Sequence, residues 1–152
     1  MKLATLCYVR QKDRTLMLYR NRKPNDTHRG KWNGLGGKLE AGETPEDCVI
    51  REVKEESGLD VASMKLKGVI TFPMFDGIDD WYVFVYLIGE FSGELIDSPE
   101  GELAWIENDH LLELNLWEGD QFFLPWLDQD RFFSARFVYH NKKLTNWKVN
   151  FY

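Results

Sequence analysis

One segment of this chain, Gly37 to Leu59, has its conformation set almost residue by residue. Thr44 is placed to cap a helix, Pro45 stands at its first position, Asp47 lies three residues beyond the cap, and Gly58 closes it. At about 100° per residue with Cys48 as zero, Glu52, Glu55 and Glu56 fall at about 40°, 340° and 80°. Val49, Val53 and Ile50 occupy roughly 100° to 200°, so one face packs and the adjacent face is acidic. Carboxylates four apart, such as Glu52 and Glu56, repel by about a few tenths of a kcal/mol, and they lie away from the helix N-terminus that would stabilise them. A compensating cation is expected, and hard oxygen donors presented together suit Mg²⁺, with Mn²⁺ as the alternative. On the acidic residues alone, a solvated charge-rich helix competes with this reading.

Strands are expected on both sides of the helix. Leu3 to Val9 and Thr15 to Tyr19 read as a hairpin, Met64 to Phe72 and Trp81 to Phe91 as strands joined by a turn from Pro73 to Asp80, and Gly101 to Glu107 as a further short strand. The run beginning at Trp81 is apolar at nearly every position, as in a central strand covered on both faces. Asn108 is placed to cap a short helix through Leu114, and Asp120 another reaching about Asp128 despite Pro125. Arg131 to Tyr139 and Leu144 to Tyr152 form a closing hairpin turned at Asn141-Lys142-Lys143. The order predicts a single α/β or α+β domain over residues 1–152, a sheet covered by helices.

Composition narrows the functions available. An apolar fraction of 43% with 14% aromatics describes a globular chain. A net charge of -6 gives no general attraction to a polyanion, so a nucleic-acid polymer is not an expected partner. Two cysteines without paired spacing, no signal-peptide pattern and no apolar run of membrane-spanning length point to a cytoplasmic protein without a membrane partner. His28, His110 and His140 show no ligand spacing and read as exposed polar residues.

Gly37, Glu43 and the run Arg51-Glu52-Val53-Lys54-Glu55-Glu56-Ser57-Gly58-Leu59 resemble the signature of the Nudix hydrolases, filling every place of it. The resemblance implies the Nudix fold, an α/β/α sandwich on a mixed sheet, and Mg²⁺-dependent hydrolysis of a nucleoside diphosphate linked to another group. By position it makes Glu52, Glu55 and Glu56 metal ligands, with one of them or an outside carboxylate as the base. The carbonyl of Gly36 is a further implied ligand, and Arg51, reached by Glu43, orients the set.

Outside that box the chain is similar to the oxidised purine nucleoside triphosphatases of the MutT type. Their glycine run is matched by Trp32-Asn33-Gly34-Leu35-Gly36-Gly37-Lys38 but for one hydrophobic exchange, which implies that Asn33 bonds a purine edge; as part of an Asn-Gly pair it also fits a plain turn. Glu100 matches an acid that completes their metal site, with Glu102 as its local rival. Trp117 and Asp120 match a base-pocket segment, and Phe72 a pocket wall, while core packing and helix capping remain open for the three. Two departures stand out: the place beside Asp120 that is acidic in those relatives is Gly119, and the basic loop from Arg20 to Lys31 is longer than theirs. Within and beside that loop, Arg20, Lys23 and Lys38 are candidates to hold phosphates.

The function implied is a pyrophosphohydrolase that converts a purine nucleoside triphosphate, such as 8-oxo-dGTP, to monophosphate and pyrophosphate, cleansing the nucleotide pool as a monomer. ADP-ribose or a dinucleoside polyphosphate as substrate, or a nucleotide-sensing module without catalysis, stays open, because no box residue decides among substrates.

Overall fold

The computed structural model describes residues 1–152. Eight strands form one mixed sheet: β1 (Lys2–Gln11), β2 (Arg14–Arg20), β3 (Trp32–Asn33), β4 (Asp60–Phe72), β5 (Trp81–Ser92), β6 (Gly101–Glu107), β7 (Phe133–His140) and β8 (Lys143–Phe151). Their order is β3-β2-β1-β5-β4-β7-β8, and β6 pairs with β2. The apolar strand β5 is central as expected, parallel to β1 on one side and antiparallel to β4 on the other.

Side-chain alternation sorts the strands' residues between two cores. Cys7, Val9, Leu16, Leu18, Tyr86 and Ile88 pack with Val49 and Val53 of α1 (Pro45–Ser57) on one face. Tyr8, Met17 and Val85 point the other way, to Leu111, Phe123, Leu124, Trp126 and Leu127 from later helical segments. A helical layer therefore covers each face, the sandwich that the resemblance implies. No helix is long and apolar enough to cross a membrane.

Several sequence expectations change. β4 begins at Asp60 rather than Met64, because register shifts against β5 interrupt its alternation. Asn108 does not cap: it opens a 3₁₀ segment, Asn108–Glu113, and accepts a hydrogen bond from Thr15 Oγ1 at 2.6 Å. Asp120 is likewise the first residue of a short α2 (Asp120–Phe123) with no side-chain cap, and Pro125 turns the remainder, Leu124–Asp128, into 3₁₀ helix. Asn141 and Lys142 make the tight final turn with φ of 50° and 65°, leaving Lys143 in the strand. Ile50, expected on the packing face of α1, is 48% exposed, whereas Glu56 is 4% exposed.

The glycine run is a wedge. β1 pairs with β2 only from Val9 to Gln11, after which β3 takes the edge of β2 through Leu18 and Tyr19, and Leu35 and Lys38 bridge back to Cys7 and Ala4 of β1. So narrow a strip excludes side chains: a Cβ on Gly36, whose φ is 137°, would lie 2.1 Å from the Thr5 carbonyl oxygen. One on Gly37 would lie 2.6 Å from Glu52 Oε1, so this glycine makes room for the helix carboxylate.

Candidate active site

Helix α1 presents its acids to this wedge because both its ends are fixed. Thr44 Oγ1 accepts from the Asp47 amide, Asp47 accepts from the Thr44 amide, and Gly58 closes the helix at φ 82°. Arg51 organises what lies between. Its Nε and Nη2 donate to the two oxygens of Glu43 at 2.7 and 2.8 Å, Nη1 donates to Glu52 Oε1 at 2.7 Å, and Nη2 also reaches the Lys38 carbonyl. The guanidinium bonds, with a further one from the Glu40 amide, hold the Glu43 carboxyl down at about 2.

Glu56 accepts from the Gly36 amide at 3.0 Å. Its pKa is pushed up to about 8, first by burial, with the charges of Glu52 and Glu100 adding and the Gly36 bond opposing. Glu52 is raised by burial against the pull of Arg51. Glu55 lies at the rim with its side chain 58% exposed, 3.6 Å from Arg51 Nη1. Glu100, not Glu102, stands beside the box: its charge bears on both Glu52 and Glu56, while Glu102 is exposed and meets Asn21. Glu100 accepts from Lys23 Nζ at 2.7 Å and Arg20 Nη2 at 3.4 Å, and Arg20 also donates to Asp26. Of the three candidate phosphate cations, Arg20 and Lys23 are therefore held by carboxylates, whereas Lys38 is exposed without an ion-pair partner.

No three carboxylates gather around one point, each being turned to a donor of the chain. The donor set nevertheless fits a hard divalent cation. Glu52, Glu56 and Glu100 are mutually repelling acids within electrostatic reach, and the carbonyl of Gly36, whose amide bonds Glu56, accepts no backbone bond, although those of Leu35 and Gly37 on either side do.

A cleft of about 480 Å³ runs from Arg20 and the Gly36-Gly37-Lys38 strip to an aromatic end. There Phe72 stacks on Phe137, and Trp117 meets Phe75 and Tyr139 edge to face at 5.1 and 5.4 Å. Two polar groups face this end without a protein partner. Asn33 Nδ2 is buried and unbonded. Asp120, 7% exposed, has no side-chain hydrogen bond, and burial raises its pKa to about 8 against the pull of Lys31. Asn33, Phe72, Trp117, Asp120 and Lys38 thus meet in one cleft with Arg20, whereas Lys23 sits outside it with Glu100.

Sequence reasoning missed three members of the aromatic end. His28, read there as exposed, is half-buried and its Nδ1 accepts from Trp117 Nε1 at 2.9 Å. Phe75 and Tyr139 line the same wall. The one local signal was Phe75, an aromatic set in the turn from Pro73 to Asp80.

Residues 1–127 match the NUDIX domain, and the chain belongs to the Nudix hydrolases, enzymes that use divalent metal ions and act on small nucleotides. Among relatives, it is 34% identical over 127 residues to the Nudix hydrolase YvcI of Bacillus subtilis, covering 81% of this chain and 77% of that one. It is 32% identical over 141 residues to the oxidized purine nucleoside triphosphate hydrolase of Mus musculus, covering 93% and 88%. Of solved structures, a mutator MutT protein from Bacillus halodurans superposes with a TM-score of 0.87 at 34% identity, covering 99% of this chain and 98% of that one.

Proposed function

We propose that the protein hydrolyses purine nucleoside triphosphates, oxidised purines foremost, to the monophosphate and pyrophosphate, with Mg²⁺ or Mn²⁺ held by Glu52, Glu55, Glu56, Glu100 and the Gly36 carbonyl. The observation that carries the substrate class is the pair of unpartnered polar groups at the aromatic end of the cleft. A buried amide left unbonded costs ~1–3 kcal/mol, which a ligand offering an acceptor returns. Asp120, kept protonated by burial, offers a donor and an acceptor side by side, and the aromatic walls suit a flat heterocycle. The mouse relative, an oxidized purine nucleoside triphosphate hydrolase, supports the same class.

Within the reaction, Arg51 holds Glu52 in place through Glu43 and the Lys38 carbonyl. Water adds to phosphorus, the bond to the bridging oxygen breaks, and the proton passes to a carboxylate of the box as pyrophosphate departs. When bound, the divalent cation supplies charge stabilisation to the phosphoryl oxygens. Arg20 and Lys38, at the mouth of the cleft, attract the phosphate chain.

A panel of canonical and oxidised nucleoside triphosphates, ADP-ribose and dinucleoside polyphosphates, assayed with Mg²⁺ and scored by product, tests this reading. Oxidised purine triphosphates should yield monophosphate and pyrophosphate fastest, and ADP-ribose cut faster than every triphosphate would refute it. Glu56→Gln should lower turnover by ~100-fold or more with an unchanged circular dichroism spectrum, in keeping with the loss of a group acting at the reacting centre.

A further inference from the structure

The loop from Asn21 to Lys31 is fastened to the cleft wall rather than left in solvent. Asn115 Nδ2 donates to the Gly30 carbonyl, Lys31 Nζ to the Leu116 carbonyl, and Trp117 Nε1 to His28 Nδ1. The imidazole stacks on Phe75 at 6.0 Å with an interplanar angle of 20°, and His28 lines the cleft together with Asn33 and Asp120.

The bond from Trp117 fixes the tautomer. An indole nitrogen is only ever a donor, so Nδ1 must be the bare nitrogen and the ring proton sits on Nε2. Nε2 has no protein partner. Burial, helped by the charge of Arg20, lowers the pKa to about 4, so the ring is neutral at physiological pH. Protonation would also place an N–H against the indole N–H. His28 Nε2–H thus joins Asn33 Nδ2 and Asp120 as a group free of protein partners, available to whatever enters the aromatic end of the cleft.

We propose that His28 is a specificity-determining residue that donates from Nε2 to a carbonyl oxygen of an oxopurine bound in the cleft. The proposal rests on the purine reading given above and adds a contact from a loop that sequence similarity leaves unassigned. The loop's role is thereby recognition of the base, with its bonds to Asn115, Leu116 and Trp117 holding the imidazole where it can donate.

Three variants separate donation from anchoring. In His28→Asn the amide oxygen reaches the place of Nδ1 and still accepts from Trp117, but nothing stands at Nε2. His28→Gln returns an amide N–H near Nε2, and His28→Phe keeps only the stack on Phe75. Calorimetric binding of dGMP, 8-oxo-dGMP and dAMP is the readout, because dAMP has no oxo group. His28→Asn and His28→Phe should each bind dGMP and 8-oxo-dGMP about 10-fold more weakly, the loss of one hydrogen bond. His28→Gln should stay within about 3-fold of wild type, and dAMP should bind all four proteins alike. Unchanged dGMP and 8-oxo-dGMP affinity in both His28→Asn and His28→Phe, an equal loss for dAMP, or a wild type that binds neither oxopurine would overturn the proposal. A wild type that binds the oxopurine monophosphates but hydrolyses no nucleoside triphosphate would refute the proposed function and leave this contact standing.

Discussion

Asp120 shows how a single buried residue can carry a cost to the fold. Burial raises its pKa from 3.8 to about 8, so the folded state binds its proton more tightly than the unfolded state does. For an acid shifted upward, the stability present below pH 3.8 declines as pH rises and levels off beyond about 8. Asp120→Asn should therefore match wild type near pH 4 and exceed it at pH 8 by at least ~1 kcal/mol, about 3 °C in Tm, as read by scanning calorimetry. Equal melting temperatures at both pH values would mean that the carboxyl ionises normally. Its neighbour Gly119 has a physical reason for departing from the acid of the resembled enzymes. Its amide donates to Tyr139 Oη at 2.7 Å, and a Cβ there would stand 2.8 Å from Phe137 Cδ1. The aromatic wall has taken the space an acid would need.

At the scale of the element, α1 is a helix whose two caps aim its carboxylates. Thr44→Ala removes one half of the capping box and should cost ~1 kcal/mol in urea unfolding. Gly58→Ala should cost more, ~1–3 kcal/mol, because φ is 82° and the new Cβ would meet Ile96 Cγ2 at 2.7 Å and the Glu94 carbonyl at 2.9 Å. A Gly58→Ala protein as stable as wild type would show that the helix end can be rebuilt without the left-handed turn. Glu56 makes the same point about faces. At about 80° on the wheel it stands between Cys48 and Val49, and because the sheet packs against the side that carries those two residues, Glu56 is buried with them. Ile50, at about 200°, lies at the edge of that side and is left 48% exposed.

For the whole molecule, the two cores share their strands: Leu16 and Leu18 face α1 while Met17 between them faces the late helical layer. Neither layer can lose its packing without loosening the sheet on which the other rests. Met17→Ala and Leu18→Ala should each cost ~2–5 kcal/mol. Both should keep one transition, coincident by tryptophan fluorescence and far-ultraviolet circular dichroism. Separate transitions in either variant would show layers that melt independently. The same arrangement explains the cleft, since the glycine wedge, the loop before β3, the turn after β4, α2 and β7 come from distant parts of the chain to line it.

The sequence by itself determined α1, its caps, its acidic set and most of the strands, because capping, i to i+4 spacing and two-residue alternation are interactions between near neighbours. It also carried the family signature, a pattern of the same short range. Only the tertiary structure decided that Glu100 rather than Glu102 stands beside the box, that Asp120 is buried without a partner rather than a cap, and that His28 belongs to the cleft. Burial and the lack of a partner depend on what packs opposite a residue, and Trp117 meets His28 across a separation in sequence of 89. Neither periodicity nor turn chemistry records such a meeting.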